Sequence, residues 1–414
     1  MILAGPLRRG LLAAFVLGLG LSISLSETAL ALLTIWWLWR LRDPAARAAA
    51  RWPLWQPVLA FSAVTLFSAV LSGHAGSGLA ASKGLLLVAA LYVAADALPG
   101  TEAGHRFLAG LGAVATVAAV VGLLQVGLCP GPEPTLRWPA WLYHRCDRAR
   151  GFFSIYMTLA GVLTLVLLAI LPRLLSGERI RRWLAASWLV MLGGLVASYT
   201  RGAWIGFGVG LIAALPVLRR GRWLLVGGIA LVVLALVATP REALTGVAPL
   251  VELRARLLKA VNPQEPGVTE RVYMWRSGLA MWREHPWLGI GPGGVKREFP
   301  SHALPEAVKK HTSHVHNTPL QILAERGLLG LAAWLWIWGA FYARGVAVWR
   351  RLPRAAVSER ALVAGSLAAI TGFLVAGLSE YNFGDSEVVM VAWTIAALPS
   401  VVSGAPAERP GSGA

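Results

Sequence analysis

Apolar residues in this chain fall into runs of roughly 17 to 25, broken by short polar clusters, which is the length at which a helix crosses a hydrocarbon core. The runs predict spans near 9–24, 27–40, 54–72, 79–97, 106–127, 152–171, 183–199, 202–218, 223–239, 319–342, 361–378 and 386–403. The fold class they imply is all-α, a polytopic membrane protein with about 12 transmembrane helices. The first two runs are short enough to tilt, to pair as a re-entrant hairpin, or to merge. The pattern divides the chain into spans one to nine over 1–238, a polar segment with amphipathic helices over 239–318, spans ten to twelve over 319–403, and a disordered tail over 404–414.

Composition agrees with a membrane setting. Hydrophobic residues make up 57% of the 414 and charged residues 14%, with a mean hydropathy of +0.63; a soluble domain carries about a quarter charged residues. A formal charge of +18 would suit nucleic acid if it formed one stripe, but the basic residues sit between hydrophobic runs. Arg8 and Arg9 precede an apolar stretch with no good small-residue cleavage site, so it reads as a first span instead of a cleavable signal. Lys and Arg collect in one alternating set of loops, around Arg8, Arg40 to Arg51, Arg106, Arg173 to Arg182, Arg219 to Arg222 and Arg344 to Arg360. The positive-inside rule makes that set cytoplasmic, with both termini, and turns the 239–318 segment outward as a periplasmic loop. Many of the 19 tryptophans, including Trp36, Trp52, Trp55 and Trp349, lie near span ends as interfacial anchors. Cys129 and Cys146 share one outward loop, where an oxidising compartment predicts a disulfide between them.

The outward segment is where chemistry is expected. From Thr269, a plausible N-cap, the run ERVYMWRSGLAMWREHP places Val272, Trp275, Leu279 and Trp282 on one helical stripe suited to a membrane surface. That reading puts Arg271 in the first turn, where the helix terminus favours an anion, and Arg276 on another face. Arg201, in SYTRGAWIGF, lies at a tight turn between two apolar spans, so its charge must snorkel or meet an anion. His302, His311, His314 and His316 cluster, but without a recognised metal-ligand spacing. His316 stands apart because Asn317 or Thr318 can cap, and Pro319 can open, the next helix. An imidazole held there can accept a proton from an attacking hydroxyl. Glu325 and Arg326 read as a structural ion pair inside that helix, while Lys83, Arg148 and Arg150 add cations on the same side. No DxD motif occurs, so no metal or other cofactor is expected and cations would have to neutralise phosphate.

Four segments together resemble a known family. HVHNTPLQILAERGLLG is similar to the HNxxLQxxxExG signature of the O-antigen ligase and polymerase superfamily, and SYTRGAWIGF resembles its SxTRxA segment. ERVYMWRSGLAMWREHPWLGIGPG resembles its R-x3-W…HPxxGxGPG segment, and RARGFFSIYMTLAGVL the stretch that opens a middle helix in many members. The resemblance covers about 148 to 330. It implies a metal-independent, inverting glycosyltransferase of the multi-spanning, lipid-donor type in a Gram-negative inner membrane. The donor would be an undecaprenyl-diphosphate-linked O-antigen, and in the ligase reading the acceptor is a sugar hydroxyl of the lipid A core oligosaccharide, both among membrane lipids and without nucleic acid. Carried over, His316 is the general base, Arg201 and Arg271 bind the donor diphosphate, Lys83 and Arg148 assist, and Asp385 orients the acceptor. The same motifs also fit an O-antigen polymerase or a protein O-oligosaccharyltransferase. A non-enzymatic transporter of lipid-linked glycan would place charges along a mid-membrane path, whereas here they gather at one face.

Overall fold

The computed structural model describes residues 4–128, 148–176, 182–215 and 265–403, with isolated positions between 251 and 258. Among them the chain is all-helical. The main helices are α1 (Ala4–Leu21), α2 (Ile23–Arg40), α3 (Trp55–Leu71), α4 (Ala75–Ala97, with a 3-10 middle) and α5 (Thr101–Gly127). They continue as α6 (Tyr156–Leu174), α7 (Arg182–Ala197), α8 (Arg201–Ala214), α9 (Pro266–Glu284) and α10 (Gly294–His302). The series closes with α11 (Thr318–Arg351), α12 (Val357–Ala376) and α13 (Ser386–Ser403). Six of these, α4, α5, α6, α11, α12 and α13, are long and apolar enough to cross a membrane, and α3, α7 and α8 are shorter apolar helices. The chain is thus a helical protein of polytopic membrane character. The expected span 223–239, the start of the outward loop, the Cys129 to Cys146 pair and the tail 404–414 lie outside the described residues.

At the centre stands α6, which is apolar all round and buried on every side through most of its length, as a helix enclosed by others must be. Small residues set the closest crossing. Gly202, Gly206 and Gly210 recur every fourth residue along α8, and a Cβ on Gly206 would stand 2.4 Å from the Gly372 carbonyl oxygen of α12. Such a seam lets backbones approach where lipid supplies no hydrophobic drive between helices. Its consequence for the site is positional: Arg201, at the head of α8, is drawn to the turn that follows α12.

Charged residues collect at both ends of the bundle. At one end Arg40 meets Asp96 at 2.7 Å and Arg173 approaches Glu102 at 4.0 Å; the opposite end carries α9, α10 and the histidines. The first two short runs form a tight helical hairpin with only Ser22 between them. Arg8 and Arg9 lie in α1, and Glu27 and Arg40 in α2.

Two expectations need correction. The α9 helix starts at Pro266, not after Thr269, because proline is already set for the first helical position and its missing N–H would be unpaired there anyway. Arg271 therefore sits in the second turn. The buried stripe is Met274, Ser277, Gly278 and Met281, a face that packs under Val315, Phe299 and Ile290, while the predicted stripe of Val272, Trp275, Leu279 and Trp282 stays half-buried.

The tenth span is also not one smooth helix. Gly327 takes φ 64 and ψ −166, and the backbone groups freed by this break are satisfied by the segment 286–291. Leu328 N–H donates to the Pro286 carbonyl at 2.9 Å, Leu329 N–H to Trp287 at 3.2 Å, Ile290 N–H to Ala324 at 3.0 Å and Gly291 N–H to Glu325 at 3.0 Å. HPWLGIGPG and AERGLLG are thus the two halves of one docking joint.

Candidate functional site

Asn317 caps α11, its side-chain oxygen accepting from Leu320 N–H at 2.9 Å, and Pro319 lies in the first turn. The same segment is stitched to the turn after α12. Thr318 N–H donates to the Gly377 carbonyl at 2.7 Å, its hydroxyl to the Glu380 carbonyl at 3.0 Å, and the Asn317 amide to the Leu378 carbonyl at 2.8 Å. Phe383 pins the turn from below, edge-on to Phe61, Trp334 and Trp393 at 5.9 to 6.1 Å. These contacts hold His316 in a left-handed backbone conformation, φ 50, which costs about 1–3 kcal/mol for a residue with a side chain and persists only where its surroundings enforce it.

The result is a three-membered arrangement. His316 Nδ1 lies 2.9 Å from one carboxylate oxygen of Glu380, and Arg271 Nη2 donates to the other. A carboxylate beside a guanidinium accepts hydrogen bonds, so Nδ1 is the donor in this contact; among the described residues Nε2 makes no hydrogen bond. The His316 and Glu380 side chains are only 13% and 11% exposed, while that of Arg271 is 29% exposed. The guanidinium can thus reach a ligand while the imidazole and carboxylate stay fixed. Arg201 pairs with Glu265 at 3.0 Å, at the head of α9. Since Arg271 is six residues beyond Glu265 on the same helix, the two cations border one stretch of about 9 Å of helix rise.

Other expected residues are placed differently. Arg148 lies over the Tyr156 ring at 4.2 Å. Asp385 caps α13 by accepting from Val388 N–H at 3.2 Å and takes the Thr158 hydroxyl at 2.6 Å, which engages both carboxylate oxygens. Arg148 and Asp385 thus flank the start of α6 and shape the site through the turn they hold. Lys83 lines a cavity of about 750 Å³ whose wall includes Ser313, Tyr381, Phe61, Trp37 and Trp393. The cavity abuts the histidines, since Tyr381 stands 6.0 Å from the His314 ring and His314 stands 4.3 Å from His316. Glu325 and Arg326 form the expected structural pair at 3.0 Å, with Glu325 also accepting from Gln321 and Gly293. His302 is engaged by Glu284 at 3.0 Å and His311 is exposed. Among the described residues no three His, Cys, Asp or Glu side chains are grouped to hold a metal ion.

Glu380 is the residue that sequence reasoning missed. Its one signal is an acidic side chain at a span boundary in SEYNFGD, beside the more conspicuous Asp385. Glu265, as the partner of Arg201, was equally unmarked.

Burial lowers the pKa of His314 to about 4, and the neighbouring His316 pushes it the same way, against a weaker pull from Glu380. The sign follows directly. A histidine held neutral contributes fully above its unfolded pKa near 6.5, and that contribution is lost as pH falls from there towards about 4. His314→Phe keeps a ring but cannot titrate. Its melting temperature in detergent should fall less between pH 7.5 and pH 5 than that of the parent protein, and an equal fall in both would remove His314 as the cause.

A bundle of apolar helices with cations, a carboxylate and an imidazole gathered at one end defines a helical membrane-type protein with a charged polar site. The family comparison points the same way: residues 185–335 match the family model described as O-antigen ligase. Members of that family are glycosyltransferase-like enzymes. The match takes in Arg201, Arg271 and His316 and stops short of Glu380. A comparison with curated proteins finds no match.

Proposed function

We propose that the protein is an O-antigen ligase, transferring a glycan from undecaprenyl diphosphate to a sugar hydroxyl of the lipid A core at the periplasmic face of a Gram-negative inner membrane, with both termini cytoplasmic. The observation that carries this reading is the Arg271–Glu380–His316 arrangement. In the reaction the acceptor oxygen bonds to the anomeric carbon, the bond from that carbon to the phosphate oxygen breaks, and undecaprenyl diphosphate leaves. The acceptor hydroxyl proton passes to His316 Nε2, whose basicity Glu380 supports from the far side of the ring. Charge grows on the departing diphosphate, where Arg271 and Arg201, released from Glu380 and Glu265, provide positive charge. The apolar cavity beside Lys83 suits the polyprenyl chain, with the Lys83 ammonium near its phosphates. No step in this scheme needs a metal.

Purified protein incubated with lipid-diphosphate glycan and lipid A core should form product in the presence of EDTA. His316→Ala, Arg201→Ala and Arg271→Ala should each reduce it on the order of 100-fold or more, the effect of deleting one transition-state donor or the base. Normal transfer by any of the three would remove that residue from the mechanism. Chain extension with donor alone, and none with core acceptor, would make the protein a polymerase instead.

A further inference from the structure

His314 is the second histidine of the site, and no step of the proposed transfer uses it. Its ring stands 4.3 Å from that of His316, centroid to centroid, with the planes 73° apart, so one ring presents its edge to the face of the other. Its other ring neighbour is Tyr381, 6.0 Å away and tilted by 41°. Glu380 and Tyr381 are consecutive in the turn after α12. One segment thus engages both histidines, Glu380 through its carboxylate and Tyr381 through its ring. The Tyr381 ring is itself confined over Gly384, where a Cβ would collide with it.

The backbone around His314 is anchored on both sides. The Thr312 hydroxyl donates to the His314 carbonyl at 2.9 Å, and Val315 N–H donates to the Gln321 side-chain oxygen at 2.9 Å. The Val315 side chain is fully buried in the cluster of Met274 and Phe299. With His316 in its left-handed conformation, side chains two positions apart come closer than the roughly 7 Å of an extended strand. Among the described residues no hydrogen bond holds the His314 ring, and its Nδ1 is buried without a partner. The contact with His316 is therefore one of shape. Charge does not oppose it: burial, helped by His316, Lys309 and Arg271 against the pull of Glu380, lowers the His314 pKa to about 4. A ring that is neutral at pH 7 does not repel a proton taken up by its neighbour.

We propose that His314 is a positioning residue for the base: its ring fixes the plane of the His316 imidazole, so that Nε2 points at the acceptor oxygen while Nδ1 stays on Glu380. The terminal torsion of a histidine is broad, and one hydrogen bond at Nδ1 leaves the ring free to swing about that contact. A flat ring packed edge to face removes the swing. Proton transfer depends on this, because Nε2 must lie within hydrogen-bond reach of the hydroxyl it deprotonates. The inference rests on the reading of His316 as the base.

The test uses the full chain in detergent with isotope-labelled histidine ring nitrogens and follows by NMR the Nδ1 proton of His316, which its hydrogen bond to a carboxylate moves far downfield. That resonance is assigned by its absence in His316→Ala. It should persist in His314→Phe, which keeps a flat ring. In His314→Ala it should broaden beyond detection, because the imidazole swings and the proton exchanges with water. In the transfer assay kcat of His314→Ala should fall roughly 10- to 100-fold with the donor KM changing little, and His314→Phe should recover most of that loss. His314→Leu fills the space without a flat face and should behave like His314→Ala, which it replaces if the alanine variant does not fold. A sharp resonance and parental kcat in His314→Ala, or equal losses in His314→Phe and His314→Ala, would overturn the proposal. The resonance is read without substrates, so it decides the role of His314 even if no glycan reaches lipid A core, a result that would count only against the proposed reaction.

Discussion

Glu380→Gln should lose transfer activity almost as completely as His316→Ala, on the order of 100-fold or more, while folding and melting normally. The amide can still contact the imidazole, but it removes the negative charge that stabilises the ring once it has taken the acceptor proton, and it ends the ion pair with Arg271. Because the carboxylate acts through the imidazole, the loss should fall in kcat, with the KM for the lipid-linked donor changing little. The double variant His316→Ala/Glu380→Gln should be no worse than His316→Ala alone, the non-additivity expected of residues that work as a unit. Activity within a few-fold of the parent, or fully additive losses, would mean that Glu380 serves only to anchor the turn.

Gly327→Ala should have a larger effect of a different kind, the loss of folded protein. The φ 64, ψ −166 backbone at this position is essentially restricted to glycine. A Cβ there would also stand 2.2 Å from the Trp287 carbonyl carbon and oxygen, backbone atoms that cannot swing aside. The joint formed by 286–291 and 324–329 would have to open, at a cost on the order of 3 kcal/mol or more. Little monodisperse protein should survive detergent extraction, and what survives should melt well below the parent. Gly339→Ala is the matched control: on the same helix, a Cβ at Gly339 meets nothing within 4 Å, so this change should be neutral or slightly stabilising. If both variants behave like the parent, the break in α11 does not hold the site together.

The membrane character of the chain could be read directly from the sequence. Spanning helices must be long and apolar whatever their neighbours, so run length alone located α3 to α8, α12 and α13 within about five residues and the start of α11 within one, although α11 runs on to Arg351, well past the predicted end at 342. Arg201 and His316 could be placed from adjacent residues, at a span boundary and beside a capped helix start, whereas Arg271 could not, because its helix begins at Pro266 and not after Thr269. Register and partnership were not legible. Whether Val272 or Met274 faces inward depends on what lies above α9, and the hydrophobic pattern of an amphipathic helix with several large apolar residues fits either rotation. The glycines of HPWLGIGPG mark close approach to a broken helix about forty residues away, which nothing in their own segment states. Glu380 could not be singled out from Asp385 by position in the turn. Only the stitching of Thr318 and Asn317 to 377–382 brings one carboxylate onto His316 and leaves the other capping α13. Transfer of apolar surface from water is a property of each segment by itself, so a sequence can state it. Hydrogen bonds and ion pairs between segments sixty or more residues apart depend on distances that exist only after the helices have packed.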